Sequence, residues 1–394
     1  MRVEDISKSV TSAFTEHFGH KPAGVWSAPG RVNLIGEHTD YNNGLCLPIA
    51  MPQRAWLAAS ARDDDMIHLV SVDLDGPAEV AIDDVALGNP GGWAAYQAGV
   101  LWAMRQAGLP VRGVDAVLQS EVPIGSGLSS SAAIEGCLAV AASALFGLKL
   151  TDDDLGRATL AALCQRAENE IAGAPTGGLD QTACLRAQAG KALLIDFDDL
   201  DDAGLPSAQQ VPFDLTADDM ALLVINTHAP HANVDGQYGA RRRACHEAAV
   251  ALGVPSLRAV SPDELADALA RLSDPALVRA VRHVVTETER VLEAVAAAEA
   301  RDWARVGVLF DASHASLRDD YRVSCDQLDV ACDVARNCGA LGARMTGGGF
   351  GGSAIALIEK DMAQAVAPRL ESEYASRGWA APEVFAIAAS AGAG

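Results

Sequence analysis

Three stretches of this 394-residue chain carry side chains or backbone suited to chemistry. The first is Gly30-Arg31-Val-Asn33-Leu-Ile-Gly36-Glu37-His38-Thr-Asp40-Tyr41-Asn-Asn-Gly44, which sets an arginine, two carboxylates and a histidine among glycines. That mixture suits a site better than a core, although a plain acidic loop would leave Glu37 and Asp40 solvated. The second is Val122-Pro123-Ile124-Gly125-Ser126-Gly127-Leu128-Ser129-Ser130-Ser131, followed by the apolar run Ala132 to Ala142. Backbone freedom and small side chains stand just ahead of a helix N-terminus, where unpaired N–H groups and the helix dipole favour an anion. A phosphate cradle is one reading and a serine-capped helix is the other. The third, Ala174-Pro-Thr-Gly177-Gly178-Leu-Asp180-Gln181, reads as a tight loop presenting one carboxylate and one amide. An aspartate so placed also serves as an ordinary turn or cap residue.

Several nucleotide-binding classes are excluded. The one Gly-Lys pair, Gly190-Lys191, has Leu185 where a Walker A loop needs its first glycine and Ala192 after the lysine. No His-Arg-Asp or Asp-Phe-Gly triplet of a protein kinase occurs. Gly347, Gly349 and Gly352 satisfy Gly-x-Gly-x-x-Gly, but a strand-like segment follows where a dinucleotide fold needs a helix. These glycines fit close approach of backbone to another segment or a ligand.

The totals set the frame. A chain 49% hydrophobic can bury a large core, and the formal charge of −22 argues against nucleic acid or an anionic membrane as a partner. Apolar runs stay short of the ~18 residues of a membrane span. The N-terminus lacks the basic-then-apolar order of a signal peptide, so a cytoplasmic protein is expected. The eight scattered cysteines form no Cys-x-x-Cys pair, which points to reduced, buried thiols rather than zinc.

Periodicity places these stretches on elements. Ile6, Val10, Phe14 and Phe18 predict an amphipathic helix, Gly24–Ser27 a short strand, and residues 55–83 antiparallel strands. Residues 93–104 read as a helix in which Trp93 is a core aromatic or, less commonly, a base-stacking one. Val114–Ser120 is a strand leading into the Gly/Ser loop. A helix spans 153–171 with Thr151 or Asp152 as its N-cap and Glu168 at the border of its apolar stripe. Residues 191–195 and 221–226 read as strands, the latter followed by a polar loop ending near Tyr238. Ala-rich helices cover much of 238–338. Strand, glycine loop and strand follow over 341–358, then a helix at 361–375 and a strand near 383–388. Mixed elements in both halves predict an α+β protein of two domains, 1–196 and 215–394, joined by an acidic, aperiodic connection at 197–214.

Taken together and in order, Gly30–Tyr41, Pro123–Ala132 and Thr346–Gly352 resemble the three motifs of the GHMP small-molecule kinases. The first is very similar to the galactokinase signature, whereas mevalonate kinases carry a lysine and different neighbours in place of Arg31-Val-Asn33. The resemblance runs to about residue 358. It implies the two-domain GHMP architecture with the active site between the domains, and ATP-dependent phosphorylation of galactose at its anomeric hydroxyl. Alternatives are another sugar 1-kinase, for N-acetylgalactosamine or a pentose, and a sensor that binds galactose and ATP without turnover.

By the same resemblance, Arg31 and Asp180 flank the anomeric hydroxyl as the catalytic pair, and Glu37, His38, Asp40, Gly177 and Tyr238 complete the sugar site. Pro123 to Ser131 hold the ATP phosphates, Trp93 occupies the approximate place of an adenine contact, and Ser131 and Glu168 bind Mg²⁺. Four carboxylates (Glu37, Asp40, Glu168 and Asp180) near a polyanionic nucleotide require compensation, which falls to Arg31 and the metal. An arginine beside Asp180 weakens it as a base, so orientation is expected to be a large part of its role.

Overall fold

In the computed structural model, which describes residues 3–74, 76–174, 176–229 and 234–394, the four-residue spacing of Ile6, Val10 and Phe14 becomes the buried face of helix α1 (Val3–Phe18). That face packs on Trp56, Ala58 and Val117 of a mixed sheet. Among the described residues this sheet runs β1 (Gly24–Asn33), β3 (Pro48–Ala61), β6 (Val114–Ser120), β4 (Met66–Ser71) and β5 (Ala78–Ala81) in spatial order. Strand β4 pairs antiparallel with β5 as expected but parallel with β6, a distinction that alternation of apolar residues does not encode.

The opposite face of the sheet is covered by helices α2 (Ala94–Gln106), α3 (Ser130–Leu145), α4 (Asp154–Ala167) and α5 (Leu179–Arg186). Helix α3 is buried on every side from Ala132 to Ser143, the pattern of a helix that is apolar all round. A second sheet has the order β10 (Gly342–Thr346), β11 (Ser353–Glu359), β9 (Met220–Asn226) and β12 (Glu383–Ile387). It packs with α6 (Val234–Leu252), α7 (Leu265–Ala270), α8 (Pro275–Glu299), α9 (Trp303–Ser316) and α10 (Asp326–Asn337). The main core draws from both halves, with Val224, Val291, Phe310 and Ile355 joining β1, α2 and α3. The α+β class is as expected.

Several local expectations change. Residues 197–214 are largely strand: β7 (Lys191–Leu200) pairs antiparallel with β8 (Pro206–Pro212), and with β2 (Leu45–Cys46) they form a third sheet. Its acidic residues sit on the exposed end of the pair, which masks the alternation. The C-terminal helix is two pieces, α11 (Lys360–Ala363) and α12 (Val366–Ser376). Strand β1 continues past Ser27 to Asn33, so Arg31 lies on a strand and not in a loop. Pro29 lacks an N–H for the ladder, and the pairing with β3 shifts register between Pro29 and Arg31, a bulge of the kind that re-aims a side chain. Asp180 and Gln181 lie in the first turn of α5, and Tyr238 lies inside α6. Part of the polar run expected before Tyr238 (230–233), and Pro175, fall outside the described residues.

Helix α4 ends at Ala167 in a wider turn over Glu168–Ala172. Its N-cap is Asp153, one residue beyond the expected pair, whose Oδ1 accepts the Gly156 N–H at 2.7 Å. Replacing Asp153 by alanine is expected to lower stability by about 0.5–2 kcal/mol, and Asp152→Ala to leave it within about 0.5 kcal/mol. The urea midpoints of the two variants give the comparison.

Candidate active site

The bulge in β1 turns Arg31 inward, where it is 6% exposed. Its Nε and Nη2 reach Asp180 Oδ1 at 2.8 and 2.7 Å, and Nη1 donates to the Gly127 carbonyl at 2.6 Å. The Arg31 backbone N–H also donates to the Leu128 carbonyl. Burial alone would lower the Arg31 pKa, but Asp180, Glu37 and Asp40 outweigh it and raise it above its ordinary value, so the cation is fixed. Ser129 Oγ donates to Asp180 Oδ2 at 2.5 Å, so both oxygens of that carboxylate are engaged.

Arg31, Glu37, His38, Asp40, Gly177, Asp180 and Tyr238 all line one cavity of about 200 Å³, with Thr176, Gly347 and Gly348. Residues expected to share a sugar site from three distant stretches thus meet around a single space. Gly177 has a steric reason to be glycine, since a Cβ there would overlap the Asp40 carboxylate. Partial burial, then Asp180, raises the half-buried Asp40 carboxyl to about 6, and Arg31 opposes this. Burial, then proximity to His283, lowers His38 to about 3, so its ring is neutral at physiological pH.

Glu37 is 3% exposed, and each of its oxygens accepts one hydrogen bond while keeping a further lone pair. It accepts the Gly347 N–H at 2.7 Å and a short hydrogen bond from Asn33 Nδ2, and it faces Arg344 at 3.6 Å. Burial raises its pKa, with Arg344 and Arg31 pulling back. Arg344, on β10, is fully buried and donates to the Leu34 carbonyl at 2.6 Å. Glu287, on α8, accepts the Gly36 N–H at 3.0 Å and the Ser313 hydroxyl at 2.5 Å. Burial would raise Glu287, but Arg290, His283 and Arg344 reverse the sign and hold it at about 2.

Beside this cavity lies the Gly/Ser loop. Ile124 and Gly125 are exposed, Leu128 is anchored in the core, and Ser126 is pinned by its own hydroxyl to the Pro123 carbonyl at 2.7 Å. Ser129, the N-cap of α3, adopts the left-handed conformation and uses its hydroxyl on Asp180 instead of capping the helix. The glycine loop 347–352 packs directly on this segment: a Cβ on Gly347 would lie 2.8 Å from the Gly127 carbonyl oxygen, and Ser353 Oγ donates to the Ser126 carbonyl.

Ser131 hydrogen-bonds Glu168, which also receives a short bond from Gln181 Nε2. Burial, then Asp180, raises the Glu168 carboxyl to about 7. A buried carboxyl that makes no ion pair among the described residues, next to a serine hydroxyl at a helix N-terminus, fits a hard divalent cation with oxygen ligands. Trp93 is half-buried at the start of α2 and packs against the main core.

The sequence placed Ser129 among the residues holding the ATP phosphates, with no sign of its bond to Asp180, and gave no role to Asn33, Gln181, Glu287 or Arg344. Two of them left a signal: Arg344 is a charge within the buried strand Gly342–Thr346, and Glu287 interrupts the apolar stripe Val281, Val284, Val291.

Comparison with known proteins agrees with this geometry. The galactokinase galactose-binding signature matches residues 12–61, the GHMP kinase N-terminal domain residues 95–188 and the GHMP kinase C-terminal domain residues 294–376. A galactokinase of Streptomyces coelicolor is 50% identical over 392 residues, covering 99% of this chain and 98% of that protein. The chain belongs to the galactokinase family. Within that family, a galactokinase of Mycobacterium tuberculosis is 45% identical over 93% of this chain and 98% of its own length. The crystal structure of Lactococcus lactis galactokinase complexed with galactose superposes with a TM-score of 0.91 at 32% identity, covering 99% of both chains. The mevalonate kinase of Methanococcus jannaschii, at 17% identity and a TM-score of 0.64 over 93% of this chain and 98% of its own, shares the fold.

Arg344, itself fully buried, lies 3.6 Å from Glu37 and 3.9 Å from Glu287. Arg344→Met is therefore expected to lower stability by about 3–5 kcal/mol, the cost of removing one cation from a buried ionic cluster in which Arg290 remains on Glu287. Chemical denaturation at neutral pH measures it.

Proposed function

We propose that this chain transfers the terminal phosphoryl group of ATP to the C1 hydroxyl of D-galactose, giving galactose 1-phosphate and ADP. The observation that carries the reading is the placement of one guanidinium. Arg31 binds Asp180 in the sugar cavity and the Gly127 carbonyl of the Gly/Ser loop at once, so the acceptor and donor ends of a phosphoryl transfer meet at it.

Each residue then has a physical task. Glu37 and Asp40 accept hydrogen bonds from sugar hydroxyls, and an isomer whose hydroxyls point elsewhere leaves them unpaired and is rejected. His38, Gly177 and Tyr238 complete the walls of that cavity. Asp180 orients the anomeric hydroxyl. With Arg31 on Oδ1 and Ser129 on Oδ2, it is better placed to fix the attacking oxygen and take its proton late than to abstract it early. Arg31 remains cationic and offsets charge on the transferring group, and backbone N–H groups of residues 123–131 surround the phosphates. Trp93 is the proposed adenine contact. Ser131 and Glu168 would hold Mg²⁺, which neutralises phosphate charge when bound. All eight cysteines are free thiols, which supports a cytoplasmic setting.

An ADP-release assay tests the reading. Release should depend on galactose, and release with N-acetylgalactosamine or a pentose but not with galactose would overturn it. Asp180→Ala is expected to retain binding of both substrates while kcat falls by at least about a hundredfold, as measured by calorimetry beside the same assay.

Asp40 gives the pH dependence. Its folded pKa of about 6 stands above the ordinary 3.8, so the folded state binds the proton more tightly than the unfolded state does. The free protein accordingly loses stability from this group as pH rises from 3.8 to about 6. Galactose needs the ionised form as acceptor, so its Kd is expected to fall as pH rises through about 6 and then to level off. Calorimetric titration between pH 5 and 8 measures this, and Asp40→Asn should remove the step.

A further inference from the structure

Tyr321, which does not line the sugar cavity, stands at the end of the wide turn Leu317–Tyr321 that closes α9. It is 2% exposed. Its ring lies against two histidine rings, tilted by 46° to His38 at 4.9 Å and by 31° to His283 at 4.4 Å. Its hydroxyl is the middle of a hydrogen-bonded chain. Tyr321 Oη meets Tyr41 Oη at 2.8 Å, Tyr41 Oη meets His38 Nδ1 at 2.9 Å, and on the far side Cys245 Sγ on α6 lies 3.1 Å from Tyr321 Oη. The backbone of Tyr321 is held in turn by Arg241 Nε on its carbonyl at 2.7 Å.

His38 has a particular need for such support. It adopts φ of 62°, a left-handed conformation uncommon for a residue with a side chain and maintained only where surroundings over-determine it. Asn42 Nδ2 secures its carbonyl at 2.9 Å, and the ring is held by the Tyr41 hydroxyl and by tilted contacts with the rings of Tyr321 at 4.9 Å and Tyr238 at 5.4 Å. Because Nδ1 is committed to the hydroxyl chain, the chain also sets which ring nitrogen carries the proton, and hence what Nε2 can offer.

We propose that Tyr321 is a positioning residue for the sugar, fixing the orientation and tautomer of His38 through the chain Cys245, Tyr321, Tyr41, His38. The chain joins α6, the end of α9 and the first motif, so Tyr321 and Cys245, which do not line the cavity, help to set its wall. His283 adds a second link, since its ring lies against Tyr321 while its Nε2 bonds the Glu37 carbonyl at 3.1 Å.

This inference rests on galactose being the acceptor, so wild-type turnover with galactose is measured first. Absence of that turnover would remove the functional reading itself, whereas an unaltered variant beside an active wild type removes only the role of Tyr321. Tyr321→Phe keeps the ring and deletes one hydroxyl. It is expected to raise the galactose KM about tenfold, with the KM for ATP and kcat at saturating sugar within about twofold of wild type. Tyr41→Phe should do the same, and the double variant should be no worse than the weaker single, because one chain is broken once. Cys245→Ser, which keeps a hydroxyl-type link, should hold the galactose KM within about threefold. An unchanged galactose KM in Tyr321→Phe, a parallel rise in the KM for ATP, or additive losses in the double variant would each overturn the proposal. Should Tyr321→Phe fold poorly, Cys245→Ala and Tyr41→Phe carry the same comparison, and additive losses between those two would overturn it.

Discussion

The site is governed by a surplus of negative charge in a place water barely reaches. Glu37 and Glu168 are buried, Asp40 is half-buried and Asp180 lies among them, with the buried Glu135 and Glu287 close behind. Like charges at such distances raise one another's pKa and oppose folding unless cations or donors stand between them. Arg31 and Arg344 supply that separation, one at the cavity and one beneath it. Neither arginine can be positioned locally. Arg31 needs the bulge in β1 and the turn of α5 that presents Asp180, and Arg344 needs β10 packed against the first motif. The interleaving of the two halves of the chain follows from this electrostatic requirement as much as from apolar burial.

Much of the molecule was legible in the sequence where one signal dominated. The spacing of Ile6, Val10 and Phe14 defined α1, the largely apolar run after Ser131 defined α3, and the glycine run 347–352 pointed to close backbone contact. The seven residues expected at the sugar converge on one cavity, although no local pattern says that residues 31, 180 and 238 should meet. Failures came where two signals overlapped. Acidic residues on an exposed edge hid the β7 and β8 pairing, and glycines before Asp180 suggested a loop where a helix begins. Supporting residues were the least legible. Glu287 and Arg344 are visible as charges at apolar positions, but their partners in the first motif lie some 250 and 310 residues away along the chain, and pairing of that kind is a property of the fold.

The glycine loop and the Gly/Ser loop illustrate the same point at the level of sterics. Gly347 sits so close to the Gly127 carbonyl that neither backbone can move toward the other, and Ser353 ties down the Ser126 carbonyl beside it. Two stretches more than two hundred residues apart therefore share a single clearance. For the history of such a chain this means that the two motifs are not free to drift separately: a side chain gained in one demands space yielded by the other. What reads along the sequence as two signatures is inherited as one surface.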